Sequence, residues 1–309
     1  MRKVFIDGQE GTTGLQLAQR LAGRDDVEVL VIADALRKDE AERAKLMNQA
    51  DLVFLCLPDA AAVEAVKLVT NPDTRVIDAS TAHRTAPGWA YGFPELSKEH
   101  RAAVAKGLRI TNPGCYATGF NAIAYPLVKL GVIDPGIRLT CHAVSGYSGA
   151  GKKGIAQYED PERAREFDSP RLYALNLNHK HLPEMQKVSG LAHAPHFNPL
   201  VCDYYAGMSV SVPLWAGQFE KSVSTESLKE ALSAFYEGAK LIKVLGAPDG
   251  GFLPANLLTG TDRLNLYVTG NLEQVTLTAV LDNLGKGASG AAVQNMNIAL
   301  GLDEYKSLL

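Results

Sequence analysis

The chain opens with a short apolar run, Val4-Phe5-Ile6, that ends at a glycine-rich turn. Leu15, Ala18, Leu21 and Ala22 then recur at helical spacing, and Gly23 stands where such a helix would stop. Two further apolar runs, residues 27–32 and 52–57, read as buried strands. Asp59 is placed to cap a helix with Val63, Val66 and Val69 on one face. Residues 75–78 and 108–111 continue the series as strands. Strands that are apolar throughout and alternate with helices imply a parallel sheet covered on both faces. The fold class expected is therefore α/β, with a doubly wound Rossmann-type domain first.

Beyond Cys115 the pattern changes. Residues 138–145, 208–214, 264–269 and 274–281 form longer, more alternating strand-like segments, and Gly270-Asn271 is placed to turn the last two into a hairpin. Residues 227–239 predict an amphipathic helix, and 149–168 a polar loop with some helix. An α+β domain with a mostly antiparallel or mixed sheet fits this second pattern. Residues 288–300 are helical again and are expected to return to the first domain. The expected division is a nucleotide-binding domain over 1–115, joined by a returning segment 286–309, and a catalytic and dimerisation domain over 116–285.

Composition adds bounds. A chain of 309 residues at 46% hydrophobic can bury a large core, and its size favours two domains. Its 31 basic and 34 acidic residues leave a net charge of −3, with no footprint for nucleic acid or an anionic membrane. No apolar run has the length of a membrane span, and the N-terminus enters a strand without the features of a signal peptide. Cys56, Cys115, Cys141 and Cys202 are far apart, with neither C-x-x-C nor metal-ligand spacing. Reduced thiols in a cytoplasmic protein are the simplest expectation.

Two features carry chemistry. Gly8-Gln9-Glu10-Gly11-Thr12-Thr13-Gly14 follows a strand and opens a helix, a G-x-x-G-x-x-G variant of the dinucleotide fingerprint. Glycines admit a pyrophosphate to the backbone, the helix start supplies N–H groups, and Thr12 or Thr13 could add a hydroxyl. A ligand-free tight turn is the alternative; three glycines in seven residues favour the ligand. Asp34, twenty residues past Gly14, suits an NAD ribose, whereas Arg37 and Lys38 suit a 2′-phosphate. Pattern alone does not separate them.

The second feature is Cys115. Pro113-Gly114 breaks the chain between a strand and a helix and leaves the thiol at the helix start, a position that favours the thiolate. Cys56 and Cys141 lie in strand-like runs and read as core, and Cys202 has no assignment. A thiolate nucleophile needs a proton-transfer partner. Of seven histidines, those in His179-Lys180-His181-Leu182-Pro183-Glu184 stand out, just before a helix start. An H-x-H pair also suggests metal, but no third ligand stands nearby and none is expected to bind.

Six segments together resemble the N-acetyl-γ-glutamyl-phosphate reductase family of arginine biosynthesis, in its shorter form and essentially end to end. They are the glycine-rich turn, Asp78-Ala79-Ser80-Thr81-Ala82-His83-Arg84, Asn112-Pro113-Gly114-Cys115-Tyr116, the run 145–151, Asn178-His179-Lys180-His181-Leu182-Pro183-Glu184, and the run 285–295. The resemblance implies the fold of glyceraldehyde-phosphate and aspartate-semialdehyde dehydrogenases, and NADPH as cofactor. It implies an acyl-phosphate substrate reduced to a semialdehyde through a cysteine thioester, in a homodimer or homotetramer. It makes Cys115 the nucleophile and His179 the acid/base, with His181 as runner-up, and Tyr173 resembles a tyrosine near the site in the longer form. Gly8, Gly11, Thr12, Thr13, Gly14 and Ser80 are assigned to the cofactor. Arg84 is assigned to a substrate carboxylate or phosphate, against its reading as a strand-end surface arginine. The alternatives are a sister reductase (aspartate-semialdehyde dehydrogenase or an aminoadipyl-phosphate reductase) and a non-catalytic NADP-binding sensor.

Overall fold

A computed structural model describes residues 1–9 and 11–308. Glu10, within the glycine-rich turn, and Leu309, the last residue of the expected C-terminal segment, lie outside the described residues. The chain divides into two compact units, Met1–Pro113 with Ala288–Leu308, and Gly114–Gly287.

The first unit alternates strand and helix as the apolar runs predict: β1 (Arg2–Asp7), α1 (Thr12–Leu21), β2 (Val27–Leu30), α2 (Glu40–Gln49), β3 (Leu52–Leu55), α3 (Asp59–Leu68), β4 (Arg75–Asp78), β5 (Ala90–Tyr91), α4 (Lys98–Lys106) and β6 (Arg109–Thr111). Its six strands are all parallel, in the order β2-β1-β3-β4-β6-β5. The order reverses between β1 and β3, the switch point at whose carboxyl ends open α/β sheets bind ligands.

Two helix faces differ from expectation. On α1 the buried residues are Gly14, Leu17 and Leu21, while Leu15 is 45% exposed. Gly14 must face inward because it packs on the Gly8 carbonyl, and that contact turns Leu15 out. On α3 Pro58 holds the cap position, the Asp59 carboxylate accepts the Thr81 N–H, and Ala62 and Ala65, not Val63, are buried. Alanines bring a helix closer to its sheet than valines allow, and the periodicity of the larger residues misleads there.

The second unit contains α5 (Cys115–Lys129), β7 (Thr140–Gly146), α6 (Gly151–Glu159), β8 (Arg171–Leu172), α7 (Leu182–Ser189), β9 (His196–Cys202), β10 (Met208–Trp215), α8 (Thr225–Phe235), β11 (Ile242–Leu245), β12 (Leu264–Gly270) and β13 (Gln274–Leu281). They build a mixed seven-stranded sheet in the order β11-β12-β13-β10-β7-β9-β8. β12 and β13 pair antiparallel about the turn at Gly270. β9, which has no counterpart among the predicted strands, carries Pro199 and polar residues that break the alternation. The helix α5 is buried on nearly every side, as suits an interior helix.

A last helix, α9 (Gly290–Leu300), belongs to the first unit, where Ala292, Val293 and Met296 share a core with Val4, Ile6, Phe54 and Ile77. Arg24 secures this return. Its buried guanidinium donates to both Asp26 oxygens, at 2.8 and 2.7 Å, and to Asn297 Oδ1 at 2.9 Å. The Arg24 hydrogen bonds hold the Asp26 carboxyl at about 2, below its usual value. A depressed carboxyl stabilises the fold above its unfolded pKa and ceases to do so as pH falls through the folded one. Replacing Arg24 by alanine is therefore expected to cost about 3 kcal/mol in urea unfolding near neutrality. The deficit should shrink between about pH 4 and pH 2. A constant deficit across that window would show that the pair contributes no linkage.

Candidate active site

In the first unit, the turn after β1 is shaped by close approach. Gly8 has φ +87°, and a side chain there would strike the Cys56 carbonyl at the end of β3. A Cβ on Gly14 would sit 2.5 Å from the Gly8 oxygen. Gly11 precedes α1 without a side-chain cap, so Thr12, Thr13 and Gly14 form its first turn. N–H groups in a first turn have no intrahelical partner, and together with the positive end of the helix they fit a pyrophosphate. Asp7, which ends β1, is neutralised by Arg43 of α2 through contacts of 2.7 and 3.2 Å. Asp34 opens a short 3-10 turn beyond β2, is exposed, and has Arg37 as the next residue after that turn.

Ser80 and Arg84 follow β4. The buried Asp78 carboxylate accepts the Ser80 N–H (2.8 Å) and hydroxyl (2.7 Å) and meets His83 Nδ1 at 2.6 Å. His83 in turn stacks on Trp89, with centroids 4.2 Å apart. Arg84 donates from Nε to the Asn112 carbonyl and from Nη2 to the Ala79 carbonyl, each at 3.0 Å. Its guanidinium thereby joins the carboxyl ends of β4 and β6.

In the second unit Cys115 is the first residue of α5 and Gly114 is its cap. Gly287 lies against it: a Cβ there would come within 2.8 Å of the Cys115 Cβ. Asp282 folds this wall, its carboxylate accepting the Gly260 and Leu284 N–H groups and its carbonyl that of Gly287. Tyr116 packs edge-on against His179, with centroids 5.7 Å apart, and tilted to His181 at 5.9 Å. Tyr173 Oη lies 3.3 Å from His179 Nε2. The His181 N–H donates to His179 Nδ1 at 3.1 Å, which assigns the proton of the neutral ring to Nε2. Burial holds both the Tyr116 and Tyr173 hydroxyls well above the ordinary tyrosine range, and the nearby Cys115 charge adds to this in each.

The second unit thus gathers Cys115, Tyr116, Tyr173, His179 and His181 into one cluster, and the first unit holds the glycine-rich turn, Ser80 and Arg84 at strand ends. Residue spacing did not reveal Tyr116, Gly287 or Glu184 as parts of the site. Glu184 gave only a helix-start signal, yet its carboxylate accepts the Gly114 N–H at 2.9 Å. Among the described residues no three His, Cys, Asp or Glu side chains form a metal-ligand group, and no helix is long and apolar enough to cross a membrane.

The four thiols differ. Burial pushes the half-buried Cys56 up to about 12, with Asp78 and Asp7 adding like charge. Burial also raises Cys141 and Cys202. Iodoacetamide at about pH 7 is expected to label Cys115 first and alone, because alkylation requires the thiolate. Peptide mapping that found Cys56 or Cys202 labelled at the same rate would sink this ordering.

The family model of the semialdehyde dehydrogenase dimerisation domain matches residues 115–283, and that of the semialdehyde dehydrogenase NAD binding domain matches residues 34–104. The chain is 46% identical to N-acetyl-gamma-glutamyl-phosphate reductase 2 of Nostoc sp., over 99% of each. It is 47% identical to N-acetyl-gamma-glutamyl-phosphate reductase 2 of Pseudomonas putida, over 96% of each. Aspartate semialdehyde dehydrogenase II of Vibrio cholerae has a similar fold, with a TM-score of 0.72 at 17% identity over 97% of this chain and 98% of that one. With nearly its whole length matched at such identity, the chain belongs to the N-acetyl-γ-glutamyl-phosphate reductase family.

Proposed function

We propose that this chain reduces N-acetyl-γ-glutamyl phosphate to N-acetylglutamate 5-semialdehyde with NADPH, releasing inorganic phosphate, as a step of arginine biosynthesis. The observation that carries the reading is Cys115 at the start of α5, beside the Tyr173–His179 pair, in a chain collinear with named reductases.

The Cys115 thiolate attacks the acyl carbon, a C–S bond forms, and the C–O bond to phosphate breaks to leave a thioester. First-turn N–H groups of α5 stabilise the oxyanion that develops on the acyl oxygen. Gly8, Gly11, Thr12, Thr13, Gly14 and Ser80 would hold NADPH, which would supply the hydride that reduces the thioester. His179 donates a hydrogen bond from its Nε2–H to the tetrahedral oxyanion, and after taking up a second proton from solvent the imidazolium passes one to the departing phosphate and returns to the neutral ring. Collapse of the thiohemiacetal breaks the C–S bond, releases the aldehyde and restores Cys115. Arg37 and Lys38 suit the 2′-phosphate of NADP, and Arg84 suits an anionic group of the substrate. A homodimer or homotetramer assembled through the second unit, in the cytoplasm, completes the reading.

The deciding assay is phosphate-dependent oxidation of N-acetylglutamate semialdehyde, followed as NADP reduction beside NAD and beside aspartate semialdehyde. Preference for the acetylated substrate with NADP supports the proposal. Preference for aspartate semialdehyde would assign the chain to the sister reaction, and inertness toward both would favour a non-catalytic NADP-binding protein.

A further inference from the structure

Glu184 is 2% exposed, and no step of the proposed reaction uses it. A carboxylate buried that deeply is costly unless it is hydrogen-bonded. Glu184 Oε1 accepts the N–H of Gly114, seventy residues away in the chain, at 2.9 Å. Gly114 is bonded directly to Cys115 and caps α5, but it has no side chain with which to fix its own conformation. A glycine peptide samples more backbone conformations than any other, so the nucleophile hangs from the most mobile kind of link.

The other end of the contact is equally placed. Glu184 is the third residue of α7, which grows directly out of the histidine turn. The Leu182 N–H donates to the His179 carbonyl and the Met185 N–H to the His181 carbonyl. The His181 N–H holds the His179 ring. One hydrogen-bonded turn therefore carries both imidazoles and the carboxylate. Gly287 lies so close to Cys115 that an added Cβ would come within 2.8 Å of the Cys115 Cβ.

We propose that Glu184 is a positioning residue: its carboxylate holds the Gly114–Cys115 peptide against the first turn of α7 and so sets the separation between sulfur and imidazole. The proposal rests on Cys115 being the nucleophile. It requires an acceptor oxygen at this distance and not a negative charge.

Three variants separate those requirements. Glu184→Gln keeps an oxygen at full length without the charge, Glu184→Asp keeps the charge but withdraws the oxygen by a methylene, and Glu184→Ala removes both. The semialdehyde oxidation assay is expected to show kcat reduced about 100-fold in the Asp and Ala proteins, the order caused by misplacing a reacting group by about an ångström. The Gln protein should stay within about fivefold of the parent, and KM should change little in all three. NADPH binding and the thermal midpoint report folding; should the Ala protein fail to fold, the Asp–Gln comparison still decides. An Asp protein more active than the Gln protein would overturn the proposal in favour of a charge or proton-transfer role. Parental kcat in all three would overturn it outright. A Cys115→Ser protein in the same series keeps the failures distinct, since near-normal activity there removes the nucleophile reading itself.

Discussion

A Cys115→Ser protein is expected to bind NADPH as the parent does and to turn over about 10⁴-fold more slowly. The substitution is nearly isosteric, and the space against Gly287 accommodates the smaller oxygen. The fold should therefore be unchanged, and the glycine-rich turn, which lies in the other unit, should keep its affinity. What is lost is ionisation: a serine hydroxyl at a helix start remains protonated near neutrality, where a thiol there forms its anion. Steady-state rates together with a fluorescence titration of NADPH make the check. Activity within tenfold of the parent would remove the thioester from the mechanism.

The second large effect is expected at His179. Loss of a positioned acid/base group costs about 10²- to 10⁴-fold, and His179→Ala should fall in that range for kcat. His181→Ala should cost at least about tenfold less. The reason lies in which atoms hold the ring: His179 Nδ1 is set by the main-chain N–H of residue 181, which alanine retains, and Nε2 is aimed at the Tyr173 hydroxyl. Side-chain loss at 181 leaves that arrangement standing, and side-chain loss at 179 removes the proton carrier. The opposite order of the two losses would transfer the acid/base role to His181.

The parallel sheet was legible because its strands are buried on both faces and stand out as unbroken apolar runs, as in Leu52–Leu55. The faces of α1 and α3 were not legible, because close backbone approach at Gly14 and small residues at Ala62 and Ala65 decide them. β9 is not legible because Pro199 and Asn198 interrupt its pattern, and its pairing with β7 on one side and β8 on the other makes it a strand. The run Asp78–Arg84 marks Ser80 and Arg84 in the sequence, but their bonds to Asp78 and to two main-chain carbonyls depend on strand ends that no local pattern places.

By itself the sequence determined the α/β class and the glycine-rich turn after the first strand, and it singles out Cys115 among four thiols as the candidate nucleophile. Each of these depends on residues adjacent in the chain: apolar runs, glycine spacing, a Pro-Gly break before a helix. Tertiary structure decided what surrounds that thiol. Tyr173, His179 and Glu184 lie some sixty to seventy positions away in sequence, and Gly287 farther still, so only the packing of α7, the segment between β8 and α7, and the loop after β13 brings them to α5. Hydrogen bonds across such separations leave no period in the sequence, and the one from the Gly114 N–H to the Glu184 carboxylate could be recognised only from its geometry.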